Sequence, residues 1–210
     1  MLGNKLSSVD ACFVIPSSAK KAYQKLADVY SAIEPPTWAL LLAQSLRHKN
    51  YDCVILDFDA DRKNMDESVK EIADTKPKLV IFVLYGQNPN SGTTMMIGAT
   101  ELANHLKKNY SELKIGFIGS HVSALPEEVI TLSYVDFVFI NEGVLSLLSL
   151  LKTNLKNNLE KVPGIWFKDS DGKPKKGKSG QIITNEQMDI MMPEYAWDLL
   201  PKNNKTLDEY

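Results

Sequence analysis

Five short apolar runs dominate the chain: "ACFVIP" (11–16), "DCVILDF" (52–58), "KLVIFVLY" (78–85), "KIGFIG" (114–119) and "DFVFI" (136–140). Each is continuous rather than alternating in polarity. That is the pattern of strands covered on both faces, which belong to parallel sheets with helices above and below. Helix-length segments separate the runs. One over 37–49 follows Pro35-Pro36, one over 66–75 has acids near its start, and one over 92–108 sets Ala99, Leu102, Ala103 and Leu106 on one face at helical spacing. A further helix is expected after Pro126, and the leucine-dense stretch 144–152 reads as one packed on a sheet. The alternation predicts a doubly wound α/β domain with a five-stranded parallel sheet, its elements falling within residues 9–157 of a domain assigned to 1–160.

The last quarter changes character. "GIWFKDSDGKPKKGKSGQIITN" reads as two extended pieces joined by a Gly-, Lys- and Pro-rich turn, a β-hairpin extension within 161–190 with its tip at Asp171-Gly172. Lys173, Lys175, Lys176 and Lys178 are expected to be solvated charge at that tip rather than a binding patch. Residues 191–210 form a short amphipathic piece and a polar tail, the composition of a linker.

A formal net charge of −2 offers no field to attract a polyanion, so nucleic acid is not an expected partner. No apolar stretch reaches the roughly 20 residues that span a bilayer, and no signal-peptide pattern opens the chain. No membrane association and a cytoplasmic location are the expectation. Cys12 and Cys53 lie in strand-like runs without CxxC spacing, which argues for buried thiols over a zinc site or a disulfide.

In an open α/β sheet the ligand crevice lies outside the carboxyl ends of the strands. The loops there are "PSSAK", "DFDAD", "YGQNPNSGTT", "GSHVSALP" and "NEGV". Neither GxGxxG nor GxxxxGK[ST] occurs, which removes the usual dinucleotide and triphosphate signatures. A flavin phosphate loop in "PSSAKKAY" is hard to tell from a plain turn, and Leu84-Tyr85-Gly86 stands where a response regulator would need an acid. From Tyr85 to Thr100 there is no charged residue, while Gln87, Asn88, Asn90, Ser91, Thr93 and Thr94 supply neutral donors and acceptors. Such a loop suits a large amide-bearing neutral ligand, and equally suits simple turn geometry. Gly119 permits close approach, Ser120 is small, and His121 stands at a strand end facing the crevice, either as a turn residue or as a ligand contact. His48 and His105 sit on helical segments and supply no metal-ligand spacing, so no metal site is expected.

Five blocks in order, "KPKLVIFVLYGQNPNSGTT", "IGFIGSHVSALPEEV", "VDFVFINEG", "VPGIWF" and "YAWDLLP", resemble the N-terminal cobalamin (vitamin B12)-binding domain of cobalamin-dependent radical S-adenosylmethionine (SAM) enzymes, over residues 9–201. The resemblance implies a flavodoxin-like, Rossmann-like sandwich in which the cofactor's nucleotide tail enters between sheet and helices and the corrin lies across the strand ends. It implies that Gly119, Ser120 and His121 form the Gly-Gly-x-His-type loop beside the tail. Tyr85, Gly86, Gln87 and Asn88 would lie near the corrin, Ser91 would also contact the cofactor, and Glu142 with Gly143 would match a Gly-Glu-Gly loop.

The departures carry their own expectations. Ser120 replaces a family glycine, and "NEGV" leaves any acidic contact to Glu142. No DxHxxG occurs, so cobalamin is expected without a histidine axial ligand, its lower face covered by the loop 85–90. The CxxxCxxC loop that holds a [4Fe-4S] cluster for SAM is also absent, so cluster, SAM and radical chemistry would belong to a C-terminal radical SAM domain beyond this chain. Two other readings stay open: a flavodoxin-like regulatory or protein-interaction domain that binds no cobalamin, and a small enzyme using Asp57, Asp59, His121 and Glu142 for acid-base work.

Overall fold

A computed structural model describes residues 8–18, 24–26, 33–86 and 89–200. Strand β1 (Ala11–Ile15) is buried at every position, as are β3 (Leu79–Leu84) and the short β5 (Phe137–Phe139). β2 (Cys53–Asp57) and β4 (Lys114–Gly119) are buried at all but one. These five strands pair in parallel in the order β2-β1-β3-β4-β5. The chain crosses from β2 over β1 to β3, which places the topological switch between β1 and β3.

The two faces of the sheet divide the core. Ala11, Phe13 and Ile15 point into one cluster with helix α1 (Thr37–Arg47) and helix α7 (Val144–Lys152). Cys12 and Val14 point into the other, with α3 (Met65–Asp74), α4 (Pro89–Asn109) and α6 (Pro126–Thr131). Both sides of each strand are therefore dry, the physical reason that the runs show no alternation.

Local chemistry starts the helices. Asn64 and Glu67 form a reciprocal capping box at α3, and Pro126 opens α6 at a position where its missing N–H costs nothing. Two short helices occupy stretches that read as loops. These are α2 (Phe58–Asp61), whose cap Asp57 accepts the Ala60 N–H at 3.0 Å, and α5 (Ser120–Ala124).

The expected hairpin exists, and it is not an appendage. β6 (Ile165–Lys168) pairs antiparallel with β5, and β7 (Pro174–Lys176) pairs antiparallel with β6, so among the described residues the sheet has seven strands. Ile165 and Phe167 join the α1 and α7 side of the core, Trp166 joins the other, and the open edge of β5 supplies their hydrogen-bond partners. Gly172, at φ +77°, turns the tip as the Asp-Gly pair predicts.

Beyond α8 (Asn185–Met191) the chain lies back on α1: the Ala196 N–H donates to the Leu40 carbonyl at 3.3 Å, and Arg47 pairs with Asp198 at 2.6 Å. Met192, Ala196 and Leu200 are buried there, and Ile183, just ahead of α8, is buried in the same cluster. The first part of the expected linker is thus docked on the domain, and residues 201–210 lie outside the described residues. No helix among the described residues is long and apolar enough to cross a membrane.

Candidate functional site

The carboxyl ends of β3, β4 and β5 meet helix α1 around one aromatic pair. Tyr85, the first residue after β3, lies against Trp38 of α1 with ring centroids 5.0 Å apart and planes at 49°. Each ring donates a hydrogen bond to the loop after β5: the Tyr85 hydroxyl to the Asn141 carbonyl at 2.7 Å, and the Trp38 indole N–H to the Glu142 carbonyl at 3.2 Å. The Asn141 N–H donates in turn to Ser123 Oγ on α5 at 3.1 Å. Three elements therefore fix the loop 141–143. Burial pushes the Tyr85 phenol above its ordinary range, opposed by its hydrogen bond with Ser123 and reinforced by Glu142, so near neutral pH it is a neutral donor.

Gly143 ends this loop in the left-handed region, φ +74°, as the N-cap of α7, where its carbonyl accepts the Leu147 N–H at 2.8 Å. A Cβ there would stand 2.1 Å from Ile118 Cδ1. Glycine meets both requirements at once.

At the end of β4 the bare face of Gly119 turns toward β3, where an added Cβ would lie 2.4 Å from the Leu84 carbonyl oxygen. The packing of β4 on β3 thus accounts for this glycine without a ligand. Gly92 in the first turns of α4 does the same for the next layer, because a Cβ there would meet Ser120 Oγ at 2.2 Å. That close approach lets Thr93 Oγ1 reach His121 Nδ1 at 3.1 Å. A hydroxyl beside an imidazole is half of a nucleophile-base arrangement, but among the described residues no carboxylate contacts His121 to complete it.

The predicted residues divide as follows. Tyr85 and Gly86, Ser91 beside Gly86, Gly119 to His121, and Glu142 with Gly143 all come to this edge through the contacts just described. Gln87 and Asn88 lie outside the described residues. Asp57 and Asp59 do not join His121: β1 and β3 intervene between β2 and β4, three strand spacings or about 14 Å. Asp57 is buried as the cap of α2, and Asp59 accepts the Ser18 N–H at 3.2 Å. An acid-base cleft built from these four residues therefore has no geometric basis. Among the described residues no three His, Cys, Asp or Glu side chains gather as metal ligands.

Trp38, Ser123 and Asn141 were not singled out by sequence reasoning. A tryptophan at the second residue of a helix after Pro-Pro gives no signal of its own, because only the strand order brings α1 against the end of β5. The resulting rim presents hydroxyl, indole, imidazole and backbone groups, with Glu142 its acid among the predicted residues and Glu34 a second carboxylate near Gly86. Such a surface can donate and accept hydrogen bonds to a ligand.

A family model described as B12 binding domain matches residues 23–151. Comparison with curated proteins finds no match. Among solved structures, the chain is similar to the radical S-adenosylmethionine methyltransferase TsrM from Kitasatospora setae with cobalamin and a [4Fe-4S] cluster bound, at 15% identity and a TM-score of 0.60, covering 85% of this chain and 30% of that one. It is also similar to the cobalamin-dependent S-adenosylmethionine radical enzyme OxsB with aqua-cobalamin bound, at 16% identity and a TM-score of 0.62, covering 91% of this chain and 24% of that one. At these identities the likeness shows the fold. The chain spans less than a third of either solved protein.

Proposed function

Since this chain belongs to the B12 binding domain family, we propose that it binds cobalamin across the carboxyl ends of β3, β4 and β5 and serves as the cofactor module of a radical SAM enzyme. The observation that carries this reading is the hydrogen-bonding rim fixed between Tyr85, Trp38 and the loop 141–143. Tyr85, Gly86 and Ser91 would face the corrin, with Gln87 and Asn88 in the same loop. Ser120 and His121 would stand beside the nucleotide tail, and Glu142 with Gly143 would close the far side. Bound cobalamin supplies a cobalt centre able to carry a one-carbon group. The residues of this chain hold and orient it.

We assign no histidine to the cobalt. His121 Nδ1 is engaged with Thr93 Oγ1, His48 caps the carboxyl end of α1 on the opposite edge of the sheet, and His105 Nδ1 lies 3.2 Å from the Glu101 carbonyl within α4. The stretch that joins β3 to α4 would cover the lower face instead.

The cluster, SAM and the methyl transfer or other radical reaction belong to a radical SAM domain docked on this one. Support for a docking face comes from 182–197, where Ile182, Met188, Ile190, Tyr195 and Trp197 are exposed while Ile183, Met192 and Ala196 anchor the same segment to the core. Its charges are all acidic, Glu186, Asp189 and Glu194, which calls for a basic rim on the partner domain.

The test is reconstitution with hydroxocobalamin, gel filtration and absorption spectroscopy of the wild type and His121→Ala. A stoichiometric coloured complex is expected, with the same cobalt spectrum in both proteins. Colourless protein with an unchanged Tm overturns cobalamin binding, since a ligand of the native state must stabilise it. A histidine-coordinated spectrum that disappears in His121→Ala overturns the axial assignment alone.

A further inference from the structure

A recess lies on the opposite edge of the sheet, at the amino ends of the strands, where a cavity of about 630 Å³ opens between β1, β3 and β4 and the chain leaving α7. That volume falls within the range of roughly 300–1,000 Å³ typical of small-molecule sites. Tyr51, Leu113, Leu151 and Leu155 give it apolar walls.

Its charge is lopsided. Lys78, Lys114, Lys152 and Lys156 line it against two carboxylates, Asp10 and Glu112, and four minus two leaves a formal excess of two positive charges. Lys78 is paired with Asp10 at 2.6 Å, and Lys114 with Asp136 at 2.9 Å. Lys152 and Lys156 have no carboxylate partner among the described residues, and both are exposed. A position in the last turn of α7 accounts for Lys152 through the helix dipole, but Lys156 lies beyond the helix.

The chain between them is bent at a conformational cost. Asn154 and Leu155 are consecutive left-handed residues, φ +53° and +62°, and a bulky side chain such as leucine is rarely found there. The double bend buries Leu155 in the core and returns Lys156 to the cavity mouth beside Lys152.

We propose that this cavity binds a small organic acid, a carboxylate or phosphate ester with an apolar body. Lys152 and Lys156 receive the acid group while Tyr51, Leu113, Leu151 and Leu155 receive the body. The site is separate from the carboxyl-edge rim, so the proposal stands or falls independently of cobalamin binding.

Calorimetric titration of the wild-type chain with octanoate, octyl phosphate, octanol and inorganic phosphate tests it. One of the two amphiphilic anions should saturate a single site, and their ratio identifies the preferred acid group. Octanol and inorganic phosphate should bind at least tenfold more weakly. The double variant Lys152→Gln/Lys156→Gln should lose at least tenfold in affinity while keeping hydroxocobalamin uptake and a cooperative unfolding transition, its Tm lowered only by the small loss of charge at the end of α7. Equal binding of inorganic phosphate, no saturable site for either amphiphile, or unchanged affinity in the double variant would each overturn the proposal.

Discussion

Gly143→Ala sets two separable costs against each other. A non-glycine residue held in the left-handed region costs roughly 1–2 kcal/mol, and Gly143 sits at φ +74°. The new methyl would also stand 2.1 Å from Ile118 Cδ1, a distance no real pair of carbons adopts. Crowding a packed core costs about 1–3 kcal/mol, and the low end applies because the atom to be moved is the tip of a side chain. The single substitution should therefore destabilise by about 2–3 kcal/mol. Ile118→Val removes the obstructing methyl and should cost about 1 kcal/mol by itself, since Ile118 is 1% exposed. In the double variant the backbone term persists but the collision does not. The pair should then be less destabilised than the sum by about 1 kcal/mol, a coupling measurable from urea midpoints at constant m value. Additivity within roughly 0.5 kcal/mol would refute the contact, and a Gly143→Ala cost below that figure would refute the left-handed cap.

Four further outcomes are expected. Asp136 accepts from Lys107 at 2.8 Å, Lys114 at 2.9 Å and the Ile115 N–H at 3.0 Å; burial alone would raise its pKa, but these partners hold it below the ordinary carboxylate range. The stability it contributes is present above the unfolded carboxylate pKa and lost as pH falls through the lower native value, so acid unfolding curves should show Asp136→Asn converging on wild type in that window while trailing it at pH 7 by about 1–3 kcal/mol. Burial pushes the Cys53 thiol up to about 12, so at pH 8 it should stay silent to a thiol reagent until the protein is unfolded in urea. Tyr85→Phe removes the donor to the Asn141 carbonyl and should cost about 1 kcal/mol in chemical denaturation, with weaker retention of hydroxocobalamin on gel filtration. Asp198→Asn breaks an exposed pair with Arg47 and should move the urea midpoint by the equivalent of no more than about 0.5 kcal/mol.

The strands were legible because burial on both faces writes itself into unbroken apolar runs such as "LVIFVL", and α7 (Val144–Lys152) matches its leucine block at both ends. The hairpin was legible as a turn, through Asp171-Gly172, but its membership in the main sheet was not. That depends on β5 having an unfilled edge, a property of topology rather than of residues 165–176. Within the site, Gly119 and His121 stood out by type and position. Their immediate partners did not: Gly119 serves the approach of Leu84, and His121 meets Thr93 only because Gly92 lets α4 close on α5. Trp38 was invisible for a related reason. Its hydrogen bond reaches Glu142 across 104 residues, and no local pattern records a contact of that span.

The outermost strand, Pro174–Lys176, is fully exposed and pairs only with β6. Proline there lacks an amide to offer, and the neighbouring lysines would set charge against any strand added beside them. This flank is accordingly blunted against templated growth, whether by a second copy or by a foreign peptide zipping onto the sheet. A partner on that side gains more from recognising side chains than from borrowing its ladder.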